Sequence, residues 1–252
     1  MNAMTLLRDA WYFFHRHAAH LALLCLPLIL LERLAGNLLA PYLGDWQGSA
    51  DLLAGLLFYP LYGAALILYL DTRTRGLRPG SAALLAMALR LWPSLALLTA
   101  LSTLLIMLGA SLFILPGLWL MARLAFADFL VVLQGFTPLA ALGDSMALTR
   151  GQFWRIFTVM MAVMLPLWGL EAFLSGLLSE DLAPRVLLES LIGFAQLFVG
   201  VALYRCFMLT VSGPITDTPE AFQPRAVRDS TRRWNSRGKQ RDSSWPRQPT
   251  LE

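Results

Sequence analysis

Six long runs of apolar residues alternate with short polar segments along this chain. Each run holds about 20 mainly apolar residues, the length that an α-helix needs to cross a hydrocarbon core roughly 30 Å thick. The pattern therefore predicts six membrane-spanning helices, over residues 18–34, 52–70, 93–115, 118–134, 153–178 and 186–211. Pro27, Pro60 and Pro166 lie inside three of the runs, where neighbouring helices can satisfy the freed carbonyl groups. The Pro116-Gly117 pair predicts a tight reversal between the third and fourth spans.

The overall composition agrees with this pattern. The chain has 252 residues, of which 57% are hydrophobic and 14% charged, whereas soluble domains have about 45–50% apolar and 25% charged residues. A soluble globule is therefore excluded, and two cysteines are too few for a secreted disulfide scaffold. The predicted fold class is an all-α polytopic membrane bundle of six transmembrane helices.

The arginines predict the orientation of the bundle, because short cytoplasmic loops of membrane proteins are enriched in Lys and Arg. One set of predicted loops contains Arg8, Arg16, Arg73, Arg75, Arg78, Arg90, Arg150 and Arg155. The other set contains Arg33 and Arg185 among the acidic residues Glu32, Asp45, Asp51, Glu180 and Asp181. This asymmetry predicts that both termini are cytoplasmic. The first span lacks a small-residue cleavage site and should act as an uncleaved anchor.

The composition changes sharply near residue 215. Apolar runs end there, and Arg, Lys, Ser, Pro and Gln dominate up to the last residue. We therefore predict a transmembrane domain over residues 1–214 and a disordered basic cytoplasmic tail over residues 215–252. The tail either tethers itself to anionic headgroups, with Trp234 and Trp245 as interfacial anchors, or is simply solvated. Nucleic-acid binding is not expected, because acidic residues dilute the positive charge and no binding fold accompanies the tail.

Short amphipathic stretches precede the three spans that are predicted to run outward. They cover residues 4–20, 81–91 and 138–150, and such helices lie flat in the membrane interface on the cytoplasmic side. The chain therefore divides into three units, each with an interfacial helix and a helical hairpin. A local match supports duplication, since Pro27 and Glu32 have the same spacing and leucine neighbours as Pro166 and Glu171. The alternative is a chance match in a leucine-rich chain.

Several ionisable or polar residues fall inside the predicted spans. These intramembrane polar residues are Arg123, Asp128, Glu171, Glu189 and Gln196. A charge near the bilayer centre costs at least about 2.5–3.5 kcal/mol, so each is a candidate functional residue. Depth counting predicts that Arg123 pairs with Glu171. The pair is either a structural ion pair, part of an ion or substrate pathway, or part of a site that holds a lipid headgroup between helices. Asp128 has no predicted cation and is either protonated or facing a water-filled cleft.

Motifs for catalysis or cofactor binding are absent from the sequence. It has no Walker loop, nucleophile elbow, zinc-protease helix or dinucleotide fingerprint, and no predicted extramembrane segment is long enough for a catalytic domain. The three histidines are His15, His17 and His20, and no further ligand accompanies them as a metal site would require. We therefore expect a protein that is not an enzyme and that has no metal or other cofactor.

The stretch from residue 116 to 157 contains a series of short motifs in a fixed order. They are Pro116-Gly117-Leu118-Trp119-Leu120, Arg123-Leu124-Ala125-Phe126-Ala127, Ala140-Ala141-Leu142 with Ser145, Leu148-Thr149-Arg150-Gly151 and Phe153-Trp154-Arg155. Together these motifs resemble the bacterial YciC family. That family looks related to the membrane domain of some glycerophosphoryl diester phosphodiesterases. The resemblance implies a multi-pass protein of the bacterial inner membrane and transfers no catalytic residues. Arg150, Trp154 and Arg155 are expected at headgroup depth, either contacting lipid phosphate or anchoring the cytoplasmic side.

Three functions follow as expectations. The first is a non-enzymatic protein that handles or senses membrane phospholipids in envelope homeostasis, with protein partners at its cytoplasmic face. The second is a structural scaffold that recruits partners, and the third is a secondary transporter for a small solute. A dry bundle with a buried, paired Arg123 would favour the scaffold, a continuous polar cleft would favour transport, and a lateral apolar opening would favour lipid handling.

Overall fold

The fold is described from a computed structural model that covers residues 3–43, 48–77, 79–176 and 182–211. The helices are α1 (Ala3–Leu39), α2 (Ser49–Thr74), α3 (Ser81–Leu112), α4 (Ile114–Leu124), α5 (Ala127–Gln134), α6 (Pro138–Leu148), α7 (Phe153–Ser175) and α8 (Leu182–Val211), and a short 3₁₀ turn (Ala40–Tyr42) follows α1. No strand occurs in this part of the chain. Six segments are long and apolar enough to cross a membrane. The all-α class and the six candidate spans are confirmed.

Some predictions concern residues outside the described ranges. Arg78, Asp45, Glu180 and Asp181 fall there, and so do the end of the predicted transmembrane domain and the whole predicted tail.

Two of the three amphipathic stretches are not separate helices. Residues 4–20 belong to α1 and residues 81–91 belong to α3, and both helices continue directly into the apolar run. Each helix contains its proline, Pro27 or Pro93, without ending there. The third stretch does form a separate helix, α6. With 32 residues, α3 is about 48 Å long at ~1.5 Å per residue. This length exceeds the roughly 30 Å thickness of the hydrocarbon core, so α3 either tilts or extends beyond the core.

Contacts between helix ends define two ends of the bundle. At the first, the hydroxyl groups of Thr74 and Tyr204 are 3.1 Å apart, and Thr210 donates to the side-chain oxygen of Gln152 at 3.1 Å. We call this the arginine-rich end, where α2 and α8 end and α7 begins. At the opposite end, the side-chain amide of Asn37 donates to the Glu189 carboxylate at 3.0 Å.

A close helical hairpin joins α3 and α4. The chain reverses at Phe113, three residues before the predicted Pro116-Gly117 turn. Pro116 lies instead in the first turn of α4, where its missing N–H leaves no helical hydrogen bond unmade. Glycine is required at Gly117, because a Cβ atom there would lie 2.8 Å from the Cβ of Ala110. Gly109 faces the same contact, and its Cβ would lie 2.8 Å from a methyl carbon of Leu120.

The predicted fourth span is a broken helix. Helix α4 ends at Leu124 and α5 begins at Ala127. With 11 and 8 residues, neither helix alone reaches the roughly 20 residues needed to span the membrane. Broken helices leave backbone groups without helical partners, and in membranes such groups must be satisfied by other parts of the protein.

Candidate functional site

Helix α6 supplies the hydrogen bonds that the break in the fourth span requires. The Ser145 hydroxyl donates to the carbonyl oxygen of Arg123 at 2.9 Å and accepts from the backbone N–H of Phe126 at 3.2 Å. Thr149 also donates to the Arg123 carbonyl, at 3.2 Å. Both hydroxyl-bearing residues are fully buried. The end of α6 is therefore fixed against the end of α4, and this positions the neighbouring Arg150.

Three arginines from two parts of the chain meet beside this junction. Arg123, Arg150 and Arg155 line an open cavity of about 790 Å³ together with Trp119 and Trp154. We call these five residues the arginine site. The Arg123 guanidinium carbon lies 5.3 Å from the centre of the Trp119 ring, an attractive cation–π geometry. The positive charges of Arg123 and Arg150 repel each other across the cavity.

The arginine site has unsatisfied donors and no acidic partner in the described part of the chain. Arg123 is 7% exposed, and its Nε has no hydrogen-bond partner. Nε and Nη2 of Arg155 are also buried without a partner. The two ion pairs among the described residues lie elsewhere, at Arg75–Asp71 and Arg185–Glu189. A buried donor without a partner is costly, so the site is suited to an anion that accepts hydrogen bonds.

The first turn of α7 adds backbone donors to the arginine site. The first helical bond of α7 runs from the N–H of Ile156 to the carbonyl of Gln152, so the preceding N–H groups of Phe153, Trp154 and Arg155 have no helical acceptor. No side chain caps this helix end. A helix N-terminus carries a partial positive charge and free N–H groups, both of which favour anions.

The predicted ion pair between Arg123 and Glu171 is wrong. Arg123 lies beside Arg150 because α6 folds back onto the break after α4. Glu171 lies on α7, 16 residues beyond Arg155, which is ~24 Å along the helix at ~1.5 Å per residue. Glu171 is half-buried and makes no ion pair or side-chain hydrogen bond with another described residue.

The other polar residues of the predicted spans occupy two places. Asp128 and Gln196 line an open cavity between the helices, and Asp128 accepts a hydrogen bond from the Tyr59 hydroxyl at 3.1 Å. Of the two alternatives for Asp128, this position agrees with a residue that faces a cleft. Glu189 lies at the opposite end, where it pairs with Arg185 at 2.9 Å and accepts from Asn37. Glu189 and Gln196 therefore do not share a site.

Arg150, Trp154 and Arg155 were expected to lie together from the sequence, and the structure does bring them together. Arg123 and Trp119 complete the same site, which the sequence did not predict. The available signal was that Arg123, Ser145, Thr149 and Arg150 all fall within the short motifs that carry the YciC resemblance. Their contacts give those motifs a physical role, which is to close the break in the fourth span and to assemble the arginine site.

No protein-family model, curated protein or solved structure matches this chain. The resemblance to the YciC family therefore stays a prediction from the motifs. Six apolar helices of spanning length agree with a multi-pass membrane protein.

Proposed function

We propose that this protein binds the phosphate of anionic phospholipids at the arginine site and so handles or senses lipids without being an enzyme. The observation that carries the proposal is the meeting of Arg123, Arg150 and Arg155 around a cavity with no carboxylate partner among the described residues. Guanidinium groups match phosphate oxygens in charge and geometry. We further propose that the arginine-rich end faces the cytoplasm of a bacterium, in the inner membrane.

A lipid fits the surroundings of the site better than a free anion. Trp154 is 75% exposed and Trp119 is 46% exposed, and aromatic side chains are enriched at headgroup depth in membrane proteins. Beyond the first turn, α7 presents exposed apolar side chains, among them Leu165 and Phe173. An acyl chain can lie along this face while its phosphate contacts the arginines.

The scaffold alternative has less support. It predicted a dry bundle with a buried and paired Arg123, whereas Arg123 is buried without an acidic partner among the described residues and an open cavity lies between the helices. Protein partners at the predicted cytoplasmic face remain part of the proposal.

Native mass spectrometry with stepwise delipidation tests the proposal. The probes are phosphatidylglycerol and a diacylglycerol with the same acyl chains, so that they differ in the phosphate-containing headgroup. We expect wild-type protein to retain phosphatidylglycerol, and the Arg150→Ala, Arg155→Ala double variant to retain it at least about tenfold less, because charged hydrogen bonds are each worth about 1.5–3 kcal/mol. Arg123→Gln should reduce retention as well.

The matched control is Arg90→Gln, which removes an exposed arginine that does not line the site. It should retain phosphatidylglycerol like wild type. Equal losses in Arg90→Gln and the double variant would contradict the proposal, as would equal retention of diacylglycerol. If inorganic phosphate displaces the lipid and raises the thermal midpoint as much as the lipid does, the site binds free phosphate instead.

A further inference from the structure

A second cavity lies between the helices of the bundle and is open on one side. It is about 710 Å³ in volume and is lined by residues of α1, α2, α3, α4, α5, α7 and α8. Most of its wall is apolar and consists of leucine, isoleucine, valine and methionine side chains, including Met107, Met121, Met160 and Met164. Small-molecule sites typically have volumes of about 300–1,000 Å³ and mainly apolar walls, so the cavity has the size and character of a ligand site.

Acidic side chains outnumber basic side chains in this cavity. Glu32, Asp51 and Asp128 line it, against the single cation Arg33. Glu32 is 7% exposed, and its Oε2 is buried without a hydrogen-bond partner. Neither ion pair found among the described residues involves these groups. An unpaired carboxylate within a bundle of membrane-spanning helices is costly, so a positive charge in the cavity would stabilise it.

Arg33 lies near Glu32 and offsets part of its negative charge without forming an ion pair with it. Its guanidinium group lies against α8, with Nη2 3.8 Å from the position of a Cβ atom on Gly193, and its Nε is buried without a partner. No ion pair joins it to Glu32 or Asp51. The cavity thus retains three carboxyl groups and one guanidinium group that is held to one side.

Two tyrosines lie between the carboxyl groups. The rings of Tyr59 and Tyr62 both line the cavity, and their centres are 5.5 Å apart at an interplanar angle of 84°. Tyr59 donates to Asp128, and Tyr62 interacts with the Glu32 carboxylate. Aromatic faces attract cations, and most strongly away from water. Rings and carboxyl groups together therefore favour a positively charged ligand.

The spacing of the acidic groups favours an organic cation over a metal ion. Within the described ranges, no three His, Cys, Asp or Glu side chains come close enough together to hold a metal ion. A metal ion needs several oxygen ligands at about 2.0–2.6 Å, whereas an organic cation spreads its charge and presents apolar groups to the wall.

We propose that this cavity binds a lipophilic organic cation, with the positive centre near Glu32, Tyr62, Tyr59 and Asp128 and the apolar groups against the leucine and methionine wall. This second site differs from the arginine site in position and in the sign of its ligand. The proposal does not depend on phosphate binding there.

Equilibrium dialysis of the full chain in a maltoside detergent tests this second site. The probe is tetraphenylphosphonium, and tetraphenylborate is an anion of nearly the same size and shape. We expect wild-type protein to bind the cation at least tenfold more tightly than the anion. Glu32→Gln and Asp128→Asn should each weaken cation binding about tenfold, which corresponds to about 1.4 kcal/mol.

The control variant is Glu171→Gln, which removes a carboxylate of α7 that does not line the cavity. It should bind the cation like wild type. Should Glu32→Gln fail to fold, Asp128→Asn decides the test, because an Asn side chain can still accept the Tyr59 hydrogen bond. Equal binding of cation and anion by wild-type protein would overturn the proposal, and so would the same loss in Glu171→Gln as in the cavity variants.

Discussion

The Thr149 hydroxyl donates to the backbone carbonyl of Arg123 at 3.2 Å, across 26 residues of sequence. This bond and the bonds of Ser145 replace helical hydrogen bonds that are lost where α4 ends. They also place Arg150, the residue after Thr149, next to the Arg123 side chain. One junction thus stabilises a broken helix and builds a cluster of positive charge.

The junction predicts that Ser145 contributes measurably to stability. Ser145→Ala removes a buried hydroxyl that donates to Arg123 and accepts from Phe126. We expect the free energy of unfolding to fall by about 1–3 kcal/mol, because the Phe126 N–H is left buried without a partner. The measurement is unfolding of detergent-purified protein by sodium dodecyl sulfate.

Ser111→Ala is the matched control for this prediction. Its hydroxyl also donates to a backbone carbonyl, that of Leu108, at 2.8 Å, but it is exposed. Its removal should change the free energy of unfolding by less than about 0.5 kcal/mol. If the two variants unfold alike, the Ser145 hydrogen bonds do not stabilise the junction.

The α3–α4 hairpin predicts a steric effect at Gly117. In Gly117→Ala, the added methyl group would lie 2.8 Å from the Cβ of Ala110 and 3.0 Å from its Cα. Because backbone must move to accommodate it, we expect a loss of about 1–3 kcal/mol in the free energy of unfolding. Gly169→Ala is the control, since nothing lies within 4 Å of its added Cβ on α7. That variant should be as stable as wild type or up to about 1 kcal/mol more stable. Equal stability of the two variants would contradict the close helix contact.

The opposite end predicts unequal roles for the two partners of Glu189. Asn37 joins α1 to α8 through its hydrogen bond to Glu189 at 3.0 Å, and it also donates to the Arg33 carbonyl. The Arg185 side chain is 63% exposed and pairs with Glu189 within one helix, so this pair should contribute well under 1 kcal/mol. We expect Asn37→Ala to lower the free energy of unfolding by about 1 kcal/mol and Arg185→Ala by less.

A double-mutant cycle between Asn37 and Glu189 measures the direct coupling. Glu171→Ala serves as a control because Glu171 makes no ion pair with another described residue. A coupling energy near zero, or a larger loss in Arg185→Ala than in Asn37→Ala, would show that the contact between α1 and α8 does not stabilise the bundle.

The predicted orientation can be tested with a membrane-impermeant maleimide on spheroplasts. Cys25 and Cys206 are free and fully buried, so neither should react in the folded protein. A cysteine placed by Tyr42→Cys, near the end of α1, should react in intact spheroplasts. A cysteine placed by Arg75→Cys should react only after the spheroplasts have been lysed. The reverse pattern would invert the orientation, and labelling of wild-type protein would contradict the burial of the native cysteines.

The sequence by itself determined the class of the fold and most of the helix positions. Apolar runs of about 20 residues specify spanning helices wherever they occur, since the bilayer imposes the same length on every span. The second, fifth and sixth predicted spans agree with α2, α7 and α8 to within about four residues at each end. The lengths and positions of the apolar runs were therefore enough to predict these helices.

Tertiary structure alone decided which polar side chains meet. Counting depth along an unbroken fourth span placed Arg123 near Glu171, but the helix is interrupted after Leu124 and α6 folds back to satisfy the buried backbone groups there. That return brings Ser145 and Thr149 to Arg123, and it creates the arginine site from residues of α4, the end of α6 and α7. The cavity depends in the same way on the arrangement of helices, because Glu32, Tyr59 and Asp128 lie far apart in sequence and no local pattern encodes their distance. Hydrophobic length is a local property, whereas the pairing of charges depends on how the helices pack together.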